Sequence, residues 1–435
     1  MRIPRIFRQE HIIGGTVILA ITQLLASVAG FLRDATFART FPDSSVVDVY
    51  VAAFRPSDFL FQTCIMAALG TVLVPVLAGY KAHKNDKEVS KILSGSMLVG
   101  AMAFGVIALI LSVAFPYIAH WFVDFTGERL ELYIHFGRIA LFSNFLFVFG
   151  NTLGQYLITA QRYWMYGLTP VFYTVGTILG TIFLTPVIGA YGPIVGTLAG
   201  TAVYVVLRFI DAWRLGFQFR WTLWHPDFPG MGMLMLPRIL SLGALQFQLL
   251  AFDKLASGMN VGSVAVNAYA RNFQSVLVGV TGIALAQSAY SLLGQSAAWK
   301  NEKLFKKYLL WGFGALLAIT IPGSIVLVLL SPLVAKAMGI QAIALFTSAL
   351  LVYAVSIPFE SMNHLMLRAY YATKQTLIPA LATVGGAIIA ISVSHVFAQR
   401  YGIQSIGLGF TAGQIAVLCI LAISFRAVSQ RVRKE

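Results

Sequence analysis

Arg33, Arg55, Arg138 and Arg271 each fall inside a stretch that is otherwise apolar. A cation at the centre of a membrane helix costs at least ~2.5–3.5 kcal/mol, so one kept there usually faces a cavity or a partner. The guanidinium fork matches two oxygens of a phosphate or carboxylate. The chemistry on offer is therefore anion binding, and several such residues point to a polar chamber and a transporter. Five acids could accompany them. Asp34, Asp48 and Asp58 lie near the first two arginines, and Asp253 and Glu360 lie in later apolar segments. Each could line the chamber, pair with an arginine or bind a coupling cation or proton.

The chain that must position these residues has 435 residues, is 58% hydrophobic and only 11% charged, and has a mean hydropathy of +0.80. A soluble domain could not keep such a surface in water. Apolar runs of about 20 residues, the length that crosses ~30 Å of hydrocarbon, recur from end to end. The expected class is an all-α polytopic membrane protein. Twelve spans are read at 12–38, 46–79, 90–118, 132–160, 166–186, 190–212, 232–257, 262–297, 304–333, 342–372, 376–398 and 403–426. Arg2, Arg5 and Arg8 precede a first apolar run longer than a signal core, so a retained first helix is expected.

The net charge of +15 is assigned to loops and not to nucleic acid. With the N-terminus inside, 22 loop cations fall on the cytoplasmic side, Lys84, Arg208 and Lys303 among them, and 5 on the other. That asymmetry places both termini in the cytoplasm. Cys64 and Cys419 offer neither a disulfide framework nor a zinc site. The seven histidines form no HxxxH or HExxH pattern, and no nucleotide-binding or hydrolase motif is present. No cofactor, metal or catalytic residue is expected. Work must come from a coupling ion (Na+ or H+), the membrane potential or downhill substrate flow.

The two halves of the chain repeat. Lys84-Asn85-Asp86-Lys87 recurs as Lys300-Asn301-Glu302-Lys303, an offset of 216, and the same offset carries Arg55 onto Arg271. Pro170 and Val175-Gly176 match Pro379 and Val384-Gly385, and Tyr191-Gly192 matches Tyr401-Gly402. Six helices in each half give both the same orientation, related by a pseudo-twofold along the membrane normal. The domains are then a lobe at 1–215, a cytoplasmic linker at 216–231 and a lobe at 232–435. Arg55 and Arg271 each lie about nine residues inside their helices, or about 13 Å at ~1.5 Å per residue. Arg33 is either an anion ligand or the partner of a local acid. Arg138, nearer a helix end, is expected to snorkel. Gly192, Gly196 and Gly200 share one face of the sixth helix and are expected to allow close packing.

Several motifs carry a family resemblance. Gly30-Phe31-Leu32-Arg33-Asp34-Ala35 with Ala38-Arg39 and Phe41 resembles the helix 1 signature of the MurJ-like lipid II flippases. Asp48 with Val51-Ala52-Ala53-Phe54-Arg55, Val74-Pro75-Val76, Gly279–Leu285 and Ala369–Ala372 with Pro379 resemble further family segments. The resemblance implies the MOP exporter fold, shared with MATE transporters: two six-helix lobes around a cationic cavity that Arg33, Arg55 and Arg271 would line. It also implies a monomeric flippase, not an enzyme. The substrate would be an undecaprenyl-pyrophosphate-linked peptidoglycan precursor, moved from the inner to the outer leaflet by alternating access.

The chain departs from the family in places. Ser27 stands where the family has a further arginine, Phe61-Gln62 where it has a double arginine, and Met66-Ala67 where it has a Glu-Gly pair. Its helix 8 has Asp-Arg where this chain has Arg271-Asn272. Members usually have fourteen helices. The alternatives left open are a flippase for another polyprenyl-linked glycan, such as an O-antigen or capsule unit, and, from another class, a membrane glycosyltransferase.

Overall fold

The computed structural model describes residues 12–67, 69 and 73–425. Among these, every regular element is helical. The first six passes are α1 (Ile12–Thr40), α2 (Ser45–Leu60) continued by a π-helical stretch (Phe61–Met66) and α3 (Val74–Ala82), α4 (Asp86–Phe122), α5 (Glu128–Thr159), the group α6 (Tyr163–Gly167), α7 (Thr169–Leu179) and α8 (Thr185–Ile188), and α9 (Gly192–Arg214). The second six are α10 (Phe228–Ser257), α11 (Ser263–Leu277) continued by a π-helical stretch (Val278–Ile283) and α12 (Ala284–Ala298), α13 (Glu302–Met338), α14 (Ile343–Ala372), α15 (Leu377–Tyr401) and α16 (Gln404–Ile423).

Among the described residues ten helical stretches are long and apolar enough to cross a bilayer, and Pro170–Arg214 among them holds two passes that turn at Gly189. The pass expected at 46–79 is divided among α2, its π stretch and α3. Large apolar side chains face outward along the spans, such as Leu109, Ile110 and Val113 on α4 and Leu329 and Leu333 on α13. Such a surface belongs in hydrocarbon.

Two compact units divide at Ile239 and Leu240, with the short segments Pro42–Ser44 and Phe122–Asp124 belonging to the second; the expected linker, 216–231, is packed with the first. Within each unit the passes choose the same neighbours. In the first, α2 packs on α5, α5 on α9 and α7 on α9; in the second, α11 packs on α14, α14 on α16 and α15 on α16.

The repeat extends to the backbone. Lys84 and Lys300, 216 positions apart, both take the left-handed conformation, with φ 55° and 54°. Asn85 and Asn301 follow them, and each side chain accepts from the backbone N–H three residues on, at Glu88 and Leu304. This satisfies one of the N–H groups that a helix start leaves open. The π stretches in the second and eighth passes begin six residues after Arg55 and seven after Arg271. A π segment loosens the local hydrogen-bond ladder and often marks a functional place in a helix.

Glycine permits the closest helix contact in the first unit. A Cβ on Gly176 would stand 2.5 Å from the Gly196 carbonyl oxygen, and one on Gly180 would stand 2.4 Å from that of Gly192. The small-residue face expected on α9 thus meets a second glycine face across from it, letting the two backbones touch.

Candidate functional site

In the first unit, α1 presents Arg33 partly exposed, its side chain 20% accessible. The guanidinium donates to a single oxygen of its neighbour, Asp34 Oδ1, from Nε at 2.9 Å and Nη2 at 2.7 Å. It also lies over the Phe37 ring at 5.9 Å. Arg33 therefore carries a local counter-ion. Nearby, hydroxyls link three helices: Tyr50 Oη contacts Thr197 Oγ1 at 2.8 Å, and Thr197 contacts Thr177 at 2.6 Å.

Arg55 lies on α2 three residues before Asp58, a spacing that puts both on one helix face. Asn144 of α5 donates from Nδ2 to Asp58 Oδ1 at 2.9 Å and also to the Ser57 hydroxyl. Ser57 in turn donates to the Ala140 carbonyl at 3.0 Å. The result is a polar cell of one arginine, one acid and one amide in an otherwise apolar helix pair.

The second unit builds the same cell from the equivalent passes. Arg271 lies on α11 three residues before Gln274, which donates from Nε2 to Glu360 Oε2 of α14 at 2.5 Å and to the Ser356 hydroxyl at 3.3 Å. The Arg271 guanidinium stands 5.5 Å from the centre of the Phe410 ring. An offset of 216 carries Arg55 to Arg271, Asp58 to Gln274, Asn144 to Glu360 and Ala140 to Ser356. The contents of the cell are repeated while the acid and the amide have changed places.

The remaining candidates are used differently. Asp48, 1% exposed, accepts from Arg129 Nη2 at 2.8 Å, and Arg129 also packs over Phe125 at 4.3 Å. Arg138 is exposed and donates to the Ser112 carbonyl at 2.9 Å. Asp253 is 2% exposed near the end of α10, while its neighbour Lys254 pairs with Asp124. Asn363, three residues after Glu360, ties α14 to α16 through the Gln414 carbonyl and side chain, at 2.8 and 2.9 Å. Among the described residues no group of three or more His, Cys, Asp or Glu is placed to hold a metal ion.

One residue corrects the sequence reading. Arg208, counted with the cytoplasmic loops, is 1% exposed inside the first unit. It donates to the Gly150 carbonyl at 2.6 Å, to Tyr204 Oη at 3.1 Å and to the Tyr166 carbonyl at 3.0 Å, between the rings of Tyr166 and Tyr204. Gly154 makes the room, since a Cβ there would stand 2.2 Å from Arg208 Nη1. The nearby elbow between α5 and α7 is held by Arg162, which grips both oxygens of Asp211 at 3.2 and 2.7 Å. That hydrogen bond raises the Arg162 guanidinium above its ordinary value. Apart from the Arg208–Tyr204 bond, these contacts join residues more than forty positions apart, so no local motif announces them.

This arrangement can be set beside known proteins. The sequence model of the family described as lipid II flippase MurJ matches residues 37–433. A probable lipid II flippase MurJ of Thermotoga maritima is 26% identical over 423 residues, covering 94% of this chain and 85% of that protein. One of Vibrio cholerae is 22% identical over 420 residues, covering 89% and 78%. A solved structure of lipid II flippase MurJ in an inward closed conformation aligns with a TM-score of 0.82 at 20% identity, covering 96% of this chain and 90% of that one. An inward-facing multidrug resistance MATE family transporter of the MOP superfamily aligns at 0.80 and 17%, covering 97% and 99%. The fold is the one that these transporters share, and a family match spanning most of the sequence, together with the helix 1 motif around Arg33, makes this chain a member of the lipid II flippase MurJ family.

Proposed function

We propose that this protein moves lipid II, a polyprenyl-pyrophosphate-linked peptidoglycan precursor, from the inner to the outer leaflet of the bacterial cytoplasmic membrane by alternating access. Arg33, Arg55 and Arg271 engage the pyrophosphate, and the protein works as a monomer with both termini in the cytoplasm. The observation that carries this reading is the repeated cell. In a chain of this family, each unit sets one arginine beside an acid and an amide at equivalent places on the second and eighth passes. Two such guanidiniums are suited to a ligand with two phosphates, each offering oxygens to a fork.

The sequence has no nucleotide-binding motif, and the substrate's own charge supplies a driving force. Moving one elementary charge across the membrane is worth about 2.3 kcal/mol per 100 mV. A dianion leaving a cell that is negative inside therefore moves downhill in potential. Ser27, Phe61-Gln62 and Met66, which replace charged residues of the family pattern, favour a second reading: a related flippase for another polyprenyl-linked glycan.

The test is reconstitution in proteoliposomes with fluorescent lipid II and, separately, a polyprenyl-pyrophosphate-linked O-antigen unit. Loss of label to a membrane-impermeant quencher reports flipping. Faster transport of lipid II supports the first reading and transport of the other glycan alone supports the second. If neither moves, the flippase reading is wrong.

A further inference from the structure

Asp58 with Asn144 and Glu360 with Gln274 form the same pair with its members transposed. A hydrogen bond whose only task was to join two helices would not require an ionisable member. Amide on amide, as Asn363 on Gln414 joins α14 to α16, does that work elsewhere in the second unit. Both cells instead keep one carboxylate, one amide donor and one arginine, whichever helix supplies the acid.

We infer that Asp58 and Glu360 are the proton-binding sites of the transport cycle, and that each takes up a proton when a phosphate of the substrate engages the arginine of its cell. The inference rests on the flippase reading and deepens it by naming the coupling ion and its ligands. With the site empty, the carboxylate is the anion of its cell, sharing a helix face with Arg55 in the first unit and held in the second by Gln274, which shares a helix face with Arg271. Substrate phosphate replaces it in that role. The carboxylate then lies partly buried beside the new anion with only a neutral amide facing it, a costly position for a charge.

A proton from water neutralises it, converting the carboxylate to the acid and leaving the substrate intact. The amide oxygen or a neighbouring hydroxyl, Ser57 or Ser356, can then accept from the new O–H. A disubstituted pyrophosphate has no proton to exchange near neutrality, so a proton taken up where the phosphates bind belongs to the protein. The donor set also favours a proton over a metal cation. Each carboxylate is met by amide N–H groups, whereas hard cations collect several oxygens.

Arg55 shares the helix face of Asp58, and the facing α5 contributes the neutral Asn144. Arg271 lies on α11 on the face of the neutral Gln274, which meets Glu360. His364 lies one turn further along α14 than Glu360, and Arg368 a turn beyond that.

The experiment is calorimetric titration of the purified full-length protein with lipid II in detergent, in buffers of different ionisation enthalpy at one pH. The dependence of the heat on the buffer counts protons exchanged. Wild type should take up between one and two protons per lipid II, and binding should strengthen as pH falls by up to about tenfold per unit for each linked proton. Asp58→Asn and Glu360→Gln should each reduce the uptake, and the double variant should abolish it while binding persists. Transposing one cell, Asp58→Asn with Asn144→Asp, should restore the uptake lost in Asp58→Asn alone. Wild-type binding with heats independent of buffer overturns the inference and leaves the flippase reading standing. Failure of wild type to bind lipid II at all overturns both.

Discussion

Asn144 and Glu360 stand at equivalent places in the two halves, 216 residues apart, yet one is the amide of its pair and the other the acid. Their partners are transposed to match: Asn144 donates to Asp58, and Glu360 accepts from Gln274. The repeat has thus kept a composition while exchanging its positions, and this sets the account apart from one in which the arginines alone matter.

The topology can be read with single cysteines after Cys64 and Cys419, both free and exposed, are replaced. Cysteines at Asn85 and Asn301, in the repeated Lys-Asn turns, should resist a membrane-impermeant thiol reagent in intact cells. A cysteine at Thr126, between α4 and α5, should react. Labelling of either turn from outside would invert the orientation and place both termini on the other face.

Close packing of α7 and its π stretch on α9 makes a sharp prediction about glycine. Gly196→Ala puts a Cβ 2.3 Å from the Gly176 carbonyl oxygen, backbone that cannot step aside, so the helices must separate. A loss of at least ~1–3 kcal/mol, the usual range for overpacking, should appear as a lower melting temperature in detergent. Gly279→Ala, in the π stretch after α11, meets nothing within 4 Å and serves as the control. Equal melting of the two variants would show that the glycine contact is not what holds these helices together.

Arg208 should behave as a structural residue. Its three hydrogen bonds from a buried cation are each worth ~1.5–3 kcal/mol when charge-assisted, though their loss is not additive. Arg208→Met should therefore lower the melting temperature strongly, and Gly154→Ala should do so by crowding the same guanidinium. Lipid II binding by whatever fraction remains folded should be unchanged. A selective loss of binding with normal stability would move Arg208 into the substrate site.

Much of this was legible in the sequence, and what was missed has a physical pattern. Hydropathy marked the long spans because a bilayer demands a continuous apolar run, while the second pass, divided among α2, its π stretch and α3, is not among the ten stretches apolar enough to cross. The Lys-Asn turns and the arginines gave the 216 offset because they are rare residues in such a chain. That offset, applied to Asp58 and Asn144, leads directly to Gln274 and Glu360, but an amide carries no charge to draw attention to itself. Arg208 could not be told from a loop cation, since its burial depends on Gly150 and Gly154 of another helix. Asp48 resembled a site acid, and its partner Arg129 lies 81 positions away.

The left-handed lysines offer a gain of stability. Lys84 and Lys300 hold φ near 55°, a conformation that costs an L-residue about 1–2 kcal/mol and glycine little. Part of that gain is lost to the greater freedom of glycine in the unfolded chain, about 0.5–1 kcal/mol. Lys300→Gly should therefore raise the melting temperature slightly and leave transport intact. A clear fall would mean that the lysine side chain has a role at that turn.

The central claim is that Arg55 and Arg271 hold the substrate's pyrophosphate, and flipping of fluorescent lipid II in proteoliposomes tests it most directly. Wild type should be compared with Arg55→Ala, Arg271→Ala and the corresponding lysine variants, each checked for folding and insertion. Losing one charge-assisted contact should weaken substrate binding by ~1.5–3 kcal/mol, roughly 10- to 150-fold, with flipping reduced to match. Lysine keeps the charge but not the fork, and it should restore activity only in part. If both alanine variants fold, insert and flip lipid II at the wild-type rate, the arginines are structural and the account is wrong.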